Sequence, residues 1–160
     1  MPEVTGTRDG VRIDLADYEA ELLLGLAGEM RTLLEADVPS VDPVKARLFP
    51  RAYEDADKQG NYERLIGNDL LSAKRNALRV VMESLEDGGP AHIELAGDGV
   101  DAWLSFLTDL RLAIGTRLEV DEDKMGADVD PDDPDAVAMS TLHWLGFIQG
   151  LILEELEEPT

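Results

Sequence analysis

A helix that is apolar around most of its girth has few places to go in a folded chain, and residues 133–158, "DPDAVAMSTLHWLGFIQGLILEELEE", describe one. Met139, Leu142, Leu145, Ile148, Ile152 and Leu156 recur at helical spacing, and Phe147 and Leu151 widen the stripe. Only His143, Gln149, Glu154 and Glu155 interrupt it in the middle and late turns. Such a helix is expected at the centre of a bundle or shared with a second subunit. It should run over residues 135–156, with Asp133 as its cap and Pro134 at the first helical position.

Three more stripes supply partners for it. "YEAELLLGLAGEMRTLLEAD" places Leu22, Leu26, Met30, Leu33 and Leu34 on one face, widened by Leu23 and Ala27, which predicts a helix over about 15–36 capped by Asp14. "NDLLSAKRNALRVVMESLED" repeats the period through Leu70, Leu71, Leu78, Val81 and Leu85, giving a helix over 69–86 with Asn68 as cap and Gly88-Gly89-Pro90 as its stop. Trp103, Leu107, Leu110, Ile114 and Leu118 mark a helix over 98–118, capped by Asp98. Between residues 39 and 67, Pro39 and Pro43 break helical conformation, and mixed aromatic and basic residues point to irregular or short helical structure laid over the core.

Two short alternating stretches complete the pattern. Val11, Ile13 and Leu15 alternate with Arg12 and Asp14 after the turn pair Asp9-Gly10, and Ala91, Ile93 and Leu95 alternate in "AHIEL". Both stretches lead through Leu-Ala into an acidic helix start, which suggests two strands pairing in one small sheet, each feeding a helix. The expected fold is therefore mainly α: one helical bundle domain spanning 1–160, with a small sheet or hairpin near the N-terminus and an acidic flexible loop at 119–133.

Composition narrows the function more by exclusion than by signature. The 35 acids against 14 bases leave a net charge of −21, which repels phosphate backbones and anionic lipid, so nucleic-acid binding is not expected. The chain contains no cysteine, which removes disulfides, thiolate metal sites and thiol catalysis. "MPEVTGTRDG" lacks the basic and apolar regions of a signal peptide, and no run of about eighteen apolar residues free of charge is expected to cross a membrane. A cytoplasmic location is the expectation.

The strongest metal-like string is "DEDKMGADVDPDD", residues 121–133, with seven acids and a glycine at the sixth position as in an EF-hand loop. Met125 falls where an oxygen ligand is needed, and Asp132 replaces the bidentate Glu, so the segment reads as a solvated linker and no metal or other cofactor is expected. The histidines are His92, in a strand, and His143, beside Trp144; neither stands in a nucleophile–base pattern, and no phosphate-binding or zinc-protease string is present. An enzyme is not expected.

The scarce bases carry the remaining signal. Arg75 and Arg79 lie one turn apart beside Lys74, while Lys45, Arg47 and Arg51 cluster in "KARLFPRAY" with Phe49 and Tyr53. Ion pairing with the abundant acids explains them in part, but Arg and Tyr are also the residues of interface anchors. Arg47, Phe49, Arg51, Tyr53, Arg75 and Arg79 are therefore the expected partner-binding set. Gly25 and Gly28 in the first helix, and Gly146 and Gly150 in the last, would be compensated by close helix approach, and a homodimer is favoured over a monomer.

"EAELLLGLAGEM", "RLFPRAY", "AKRNALRVV", "WLSFLTDLRLAIGTRLEV" and "HWLGFIQGLILEEL" together resemble an AosR-like actinobacterial family of unknown function, whose genes tend to lie beside that of the Clp adaptor for N-degron substrates. The resemblance covers most of the chain in order, and "TDLRLAIGTRLEV" is its most specific part. It implies a helical, cytoplasmic regulator with an oxidative-stress association. Protein partners would be a sigma factor, RNA polymerase or the Clp machinery. The absence of cysteine departs from a thiol-based sensor. Direct DNA binding and an unrecognised carboxylate enzyme are the rival readings.

Overall fold

The computed structural model describes residues 2–35, 44, 48, 68–85, 89–118 and 134–157, with the side chains of 68 and 69 excepted. Strands β1 (Glu3–Gly6), β2 (Gly10–Leu15) and β3 (Ala91–Ala96) form one antiparallel sheet in the order β1-β2-β3. The four described helices are α1 (Asp17–Glu35), α2 (Asn68–Leu85), α3 (Asp98–Arg117) and α4 (Ala136–Glu157). The mainly α architecture with a small sheet matches the expectation from periodicity.

The repeated strand-to-helix pattern has a direct structural meaning. β2 and β3 pair along their whole lengths, from Gly10 opposite Ala96 to Leu15 opposite Ala91, and each leads into a helix. Val11, Ile13, Leu15, Ile93 and Leu95 all face the core, as alternation requires. Gly10 is fixed by contact: a Cβ there would stand 1.9 Å from the Leu95 carbonyl oxygen, so no side chain fits.

The helix starts differ from expectation in instructive ways. Asp14 does not cap α1, because the chain stays extended through the buried, strand-paired Leu15. Ala16 takes the cap position instead: its carbonyl accepts the first helical bond from the Ala20 N–H at 3.0 Å, and Glu19 Oε1 reaches back to accept from the Ala16 N–H at 2.9 Å. That is half of a capping box, and it accounts for a buried glutamate. Asp98 is likewise the first residue of α3; its cap is Gly97, whose φ of 52° suits glycine. α4 begins at Ala136, one residue after the expected 135, with the Asp135 carbonyl accepting from the Met139 N–H, so Pro134 lies in the preceding turn and not at the first helical position; Asp133 is outside the described residues.

Packing also corrects the α1 stripe and the place of the last helix. In α1 the core takes Ala20, Leu23, Ala27, Met30 and Leu34, whereas Leu22 is exposed and Leu26 and Leu33 are half-buried. "LLLGL" offers apolar residues on several sides, so its period fixes a helix but leaves its rotation open. The central helix is α3, not α4. Trp103 and Leu107 are fully buried, Trp103 meets Phe106 edge-on at 6.4 Å, and α3 packs on α2, α4 and β3. α4 lies against α3, β1 and β2 through Met139, Leu142, Leu145, Ile148 and Ile152, and leaves its opposite side in solvent. By length and composition α4 does qualify to cross a membrane, contrary to the expectation that no such run exists. Here Leu145, Ile148 and Ile152 are fully buried in the core, where each such side chain contributes roughly 1.5–3 kcal/mol.

Candidate functional site

α2 separates two kinds of basic residue one position apart. Lys74 turns inward and its Nζ lies 2.9 Å from Asp109 Oδ1 on α3, with only 12% and 11% of the two side chains exposed. It therefore leaves the surface that sequence proximity had assigned to it beside Arg75. Arg75 and Arg79, a helical turn apart, face out into a groove of about 460 Å³ between α1 and α2.

Leu24, Leu34, Leu78 and Met82 contribute apolar side chains to this groove, and Arg31, Glu35 and Glu83 join the two α2 arginines in lining it. Arg79 is engaged on its own helix, donating from Nη1 to Glu83 Oε1 at 2.9 Å and from Nη2 to Asn76 Oδ1 at 2.8 Å. Arg75 donates from Nη2 to the Leu34 carbonyl at 3.3 Å, one of the last-turn acceptors that α1 itself cannot satisfy. Among the described residues neither Arg31 nor Arg75 has a carboxylate within ion-pair distance. In a chain of net charge −21, two arginines without acidic partners on one apolar groove stand apart from the surrounding surface.

Sequence reading missed Arg31. No local signal exposes it, because it comes to line the same groove as Arg75 only through the packing of α1 on α2. The other expected anchors, Arg47, Phe49, Arg51 and Tyr53, lie outside the described residues, as do Lys45 and the acidic segment 121–133. Leu48, within the same motif, is buried in the core cluster.

Other polar groups serve packing. His92 Nδ1 and Asp14 Oδ1 are 2.6 Å apart across the β2–β3 pair, and Arg12 Nε donates to the same oxygen at 3.1 Å. The His92 hydrogen bond, with Arg12's bond and charge, holds the Asp14 carboxyl below its ordinary value of 3.8, against a smaller opposing effect of desolvation. Between α3 and α4, Arg111 Nη1 donates to Gln149 Oε1 at 2.8 Å and Gln149 Nε2 donates to Thr108 Oγ1 at 2.7 Å. The Arg111 guanidinium lies over Gly146, where an added Cβ would meet it at 3.4 Å; Gly25, Gly28 and Gly150 have no heavy atom in that range. Among the described residues, Gly146 alone of the four accommodates a close neighbour from another helix.

A second cleft, of about 540 Å³, opens where the starts of α1 and α4 approach, and Tyr18, Leu22, Val137 and Trp144 give it an apolar lining. Tyr18 is 66% and Val137 81% exposed. Among the described residues no three His, Asp or Glu side chains gather in a metal-ligating cluster.

A family model described as a domain of unknown function, DUF2017, matches residues 1–156. The chain belongs to the DUF2017 family. It is 29% identical over 150 residues to a protein named oxidative stress regulator AosR from Mycobacterium tuberculosis (strain ATCC 25618 / H37Rv), a match covering 71% of this chain and 68% of that one. The protein of the same name from Mycobacterium bovis matches with the same identity and coverage. No solved structure matches the chain. The resemblance read from the sequence blocks is thus borne out at the level of the family.

Proposed function

We propose that this DUF2017 protein is a cytoplasmic regulator that acts through protein–protein contacts, without a catalytic step of its own, and that the groove between α1 and α2 is its docking face. The observation that carries this reading is the pair Arg31 and Arg75: exposed guanidiniums with no carboxylate at ion-pair distance among the described residues, set beside Leu34, Leu78 and Met82 on an otherwise strongly acidic chain. Arginine beside apolar side chains is the composition of an interface anchor, and a guanidinium pairs most strongly with carboxylates held in a fixed geometry. The names of the mycobacterial relatives support a regulatory role, and the resemblance to a family encoded beside the Clp adaptor gene supports two versions of it. One is a transcription accessory contacting a sigma factor or RNA polymerase; the other is a Clp-linked adaptor. With no cysteine in these 160 residues, the proposed regulation works by contact and not by a thiol of this chain.

The test is capture of partners from native-host lysate by tagged protein at two salt concentrations, with identification by mass spectrometry. Recovery of a sigma factor, polymerase or Clp subunit is the expected result and selects between the two versions. Direct DNA binding is the rival that the exposed arginines of α2, Arg75 and Arg79, favour. It predicts a mobility shift at low salt that disappears steeply as salt rises and is lost in Arg75→Ala/Arg79→Ala. No shift of any DNA at low salt removes that rival.

A further inference from the structure

The groove has a chemical complement elsewhere on the same molecule. On α4, Phe147, Gly150, Leu153, Glu154 and Glu157 are all exposed; Phe147, Gly150, Glu154 and Glu157 recur at helical spacings of three and four, and Leu153 lies at such a spacing from both Gly150 and Glu157, so they form a single strip along the solvent side. No lysine or arginine occurs in α4. Among the described residues neither Glu154 nor Glu157 has a cationic partner, and Glu155 turns away to accept a hydrogen bond from the Gly6 N–H at 3.1 Å. Among the described residues, and apart from its own helix's backbone and its chain neighbours, Gly150 has no heavy atom within 4 Å of where a Cβ would stand, so another surface can approach the helix closely there.

We infer that a second copy of this chain docks the Phe147–Glu157 strip of its α4 into the α1/α2 groove, setting Phe147 and Leu153 against Leu24, Leu34, Leu78 and Met82 and pairing Glu154 and Glu157 with Arg31 and Arg75. Charge complementarity selects this occupant. The strip is apolar and anionic; the groove sets Arg31, Arg75 and Arg79 against Glu35 and Glu83 beside four apolar side chains, so it stays net positive, and among the described residues Arg31 and Arg75 have no carboxylate within ion-pair distance while Glu83 is paired with Arg79. Strip and groove are both solvent-facing in one protomer, so the contact is made between molecules. The strip's carboxylates also disfavour an anionic lipid surface as the alternative cover for α4. The inference rests on reading the groove as a docking face and adds that self-association and partner binding compete for it.

The test is a reciprocal charge swap in the full chain, read by sedimentation equilibrium over a concentration series. Arg31→Glu/Arg75→Glu makes groove and strip both acidic, and Glu154→Arg/Glu157→Arg makes both basic, so each variant alone should self-associate more weakly by about tenfold or more. An equimolar mixture of the two should recover wild-type association, because each groove then meets a strip of opposite charge. The milder pairs Arg31→Gln/Arg75→Gln and Glu154→Gln/Glu157→Gln should weaken association with the fold retained by circular dichroism. A monomeric wild type throughout the series overturns the inference. So does a dimer that ignores both swaps, which would place the contact at another face such as the Tyr18–Val137 cleft. If wild type is monomeric and lysate partners are still lost with Arg31→Glu/Arg75→Glu, the groove remains a docking face for an acidic segment of another protein and only the second copy is removed.

Discussion

The two sides of α2 hold ion pairs of the same length in opposite circumstances. Lys74–Asp109 and Arg79–Glu83 both measure 2.9 Å, yet the first is enclosed between α2 and α3 while the second is more than half exposed on the groove side. Distance therefore says little about what each pair does. The enclosed pair is tied to the fold, because removing one member strands a charge in a medium that solvates it poorly. The exposed pair is screened by water and gains little, so its residues can exchange partners at small cost. The inner side of α2 fixes structure and the outer side is available for binding.

The largest effect should come from breaking the inner pair on one side only. Asp109→Ala or Lys74→Ala should destabilise the protein by about 3–5 kcal/mol in urea unfolding, and Lys74→Met with Asp109→Leu together should recover much of that loss. Equal losses in the single and double variants would contradict the account. Arg75→Ala comes next, costing about 1 kcal/mol as the Leu34 carbonyl loses its donor. Arg79→Ala should cost no more than about 0.5 kcal/mol, the scale of an exposed pair one turn apart on a helix. A stability loss at Arg79 as large as at Lys74 would erase the distinction between the two sides.

The sheet provides a further exposed contact whose contribution is set by pH. Because the folded-state pKa of Asp14 is lowered, its ionised form favours the native state above the ordinary value of 3.8, and that contribution disappears as pH falls through the lower folded value. Asp14→Asn should therefore cost stability near pH 6 and almost none once the wild-type carboxyl is protonated. A cost that stays constant across this acid range would show that the pairing with His92 and Arg12 is irrelevant to folding.

Much of this architecture was readable from periodicity, and the failures share a cause. The shared pattern in "RIDLA" and "HIELA" identified two strands that do pair, since alternation depends only on each strand having one buried face. Periodicity centres the α1 stripe on Leu22 and Leu26 with Leu23 and Ala27 at its margin, whereas Leu23 and Ala27 are buried and Leu22 is exposed, because a leucine run leaves helix rotation to tertiary packing. Adjacency groups Lys74 with Arg75, although neighbours on a helix point about 100° apart and the partner Asp109, on another helix, reveals which way Lys74 turns. The capping acids failed similarly: Asp14 belongs to a strand, and the turn before α3 needs the positive φ of Gly97. Arg75 and Arg79 were identified as a pair from their spacing, whereas Arg31 depends on a contact between distant parts of the chain.

The most direct test of the division between the two sides measures thermal unfolding and lysate capture on the same preparation of Arg31→Glu/Arg75→Glu. The account predicts a melting temperature within about 4 °C of wild type, the shift expected for a loss near 1 kcal/mol in a chain of this size, together with loss of the captured sigma factor, polymerase or Clp subunit. An unchanged set of captured partners from a normally folded variant would contradict it.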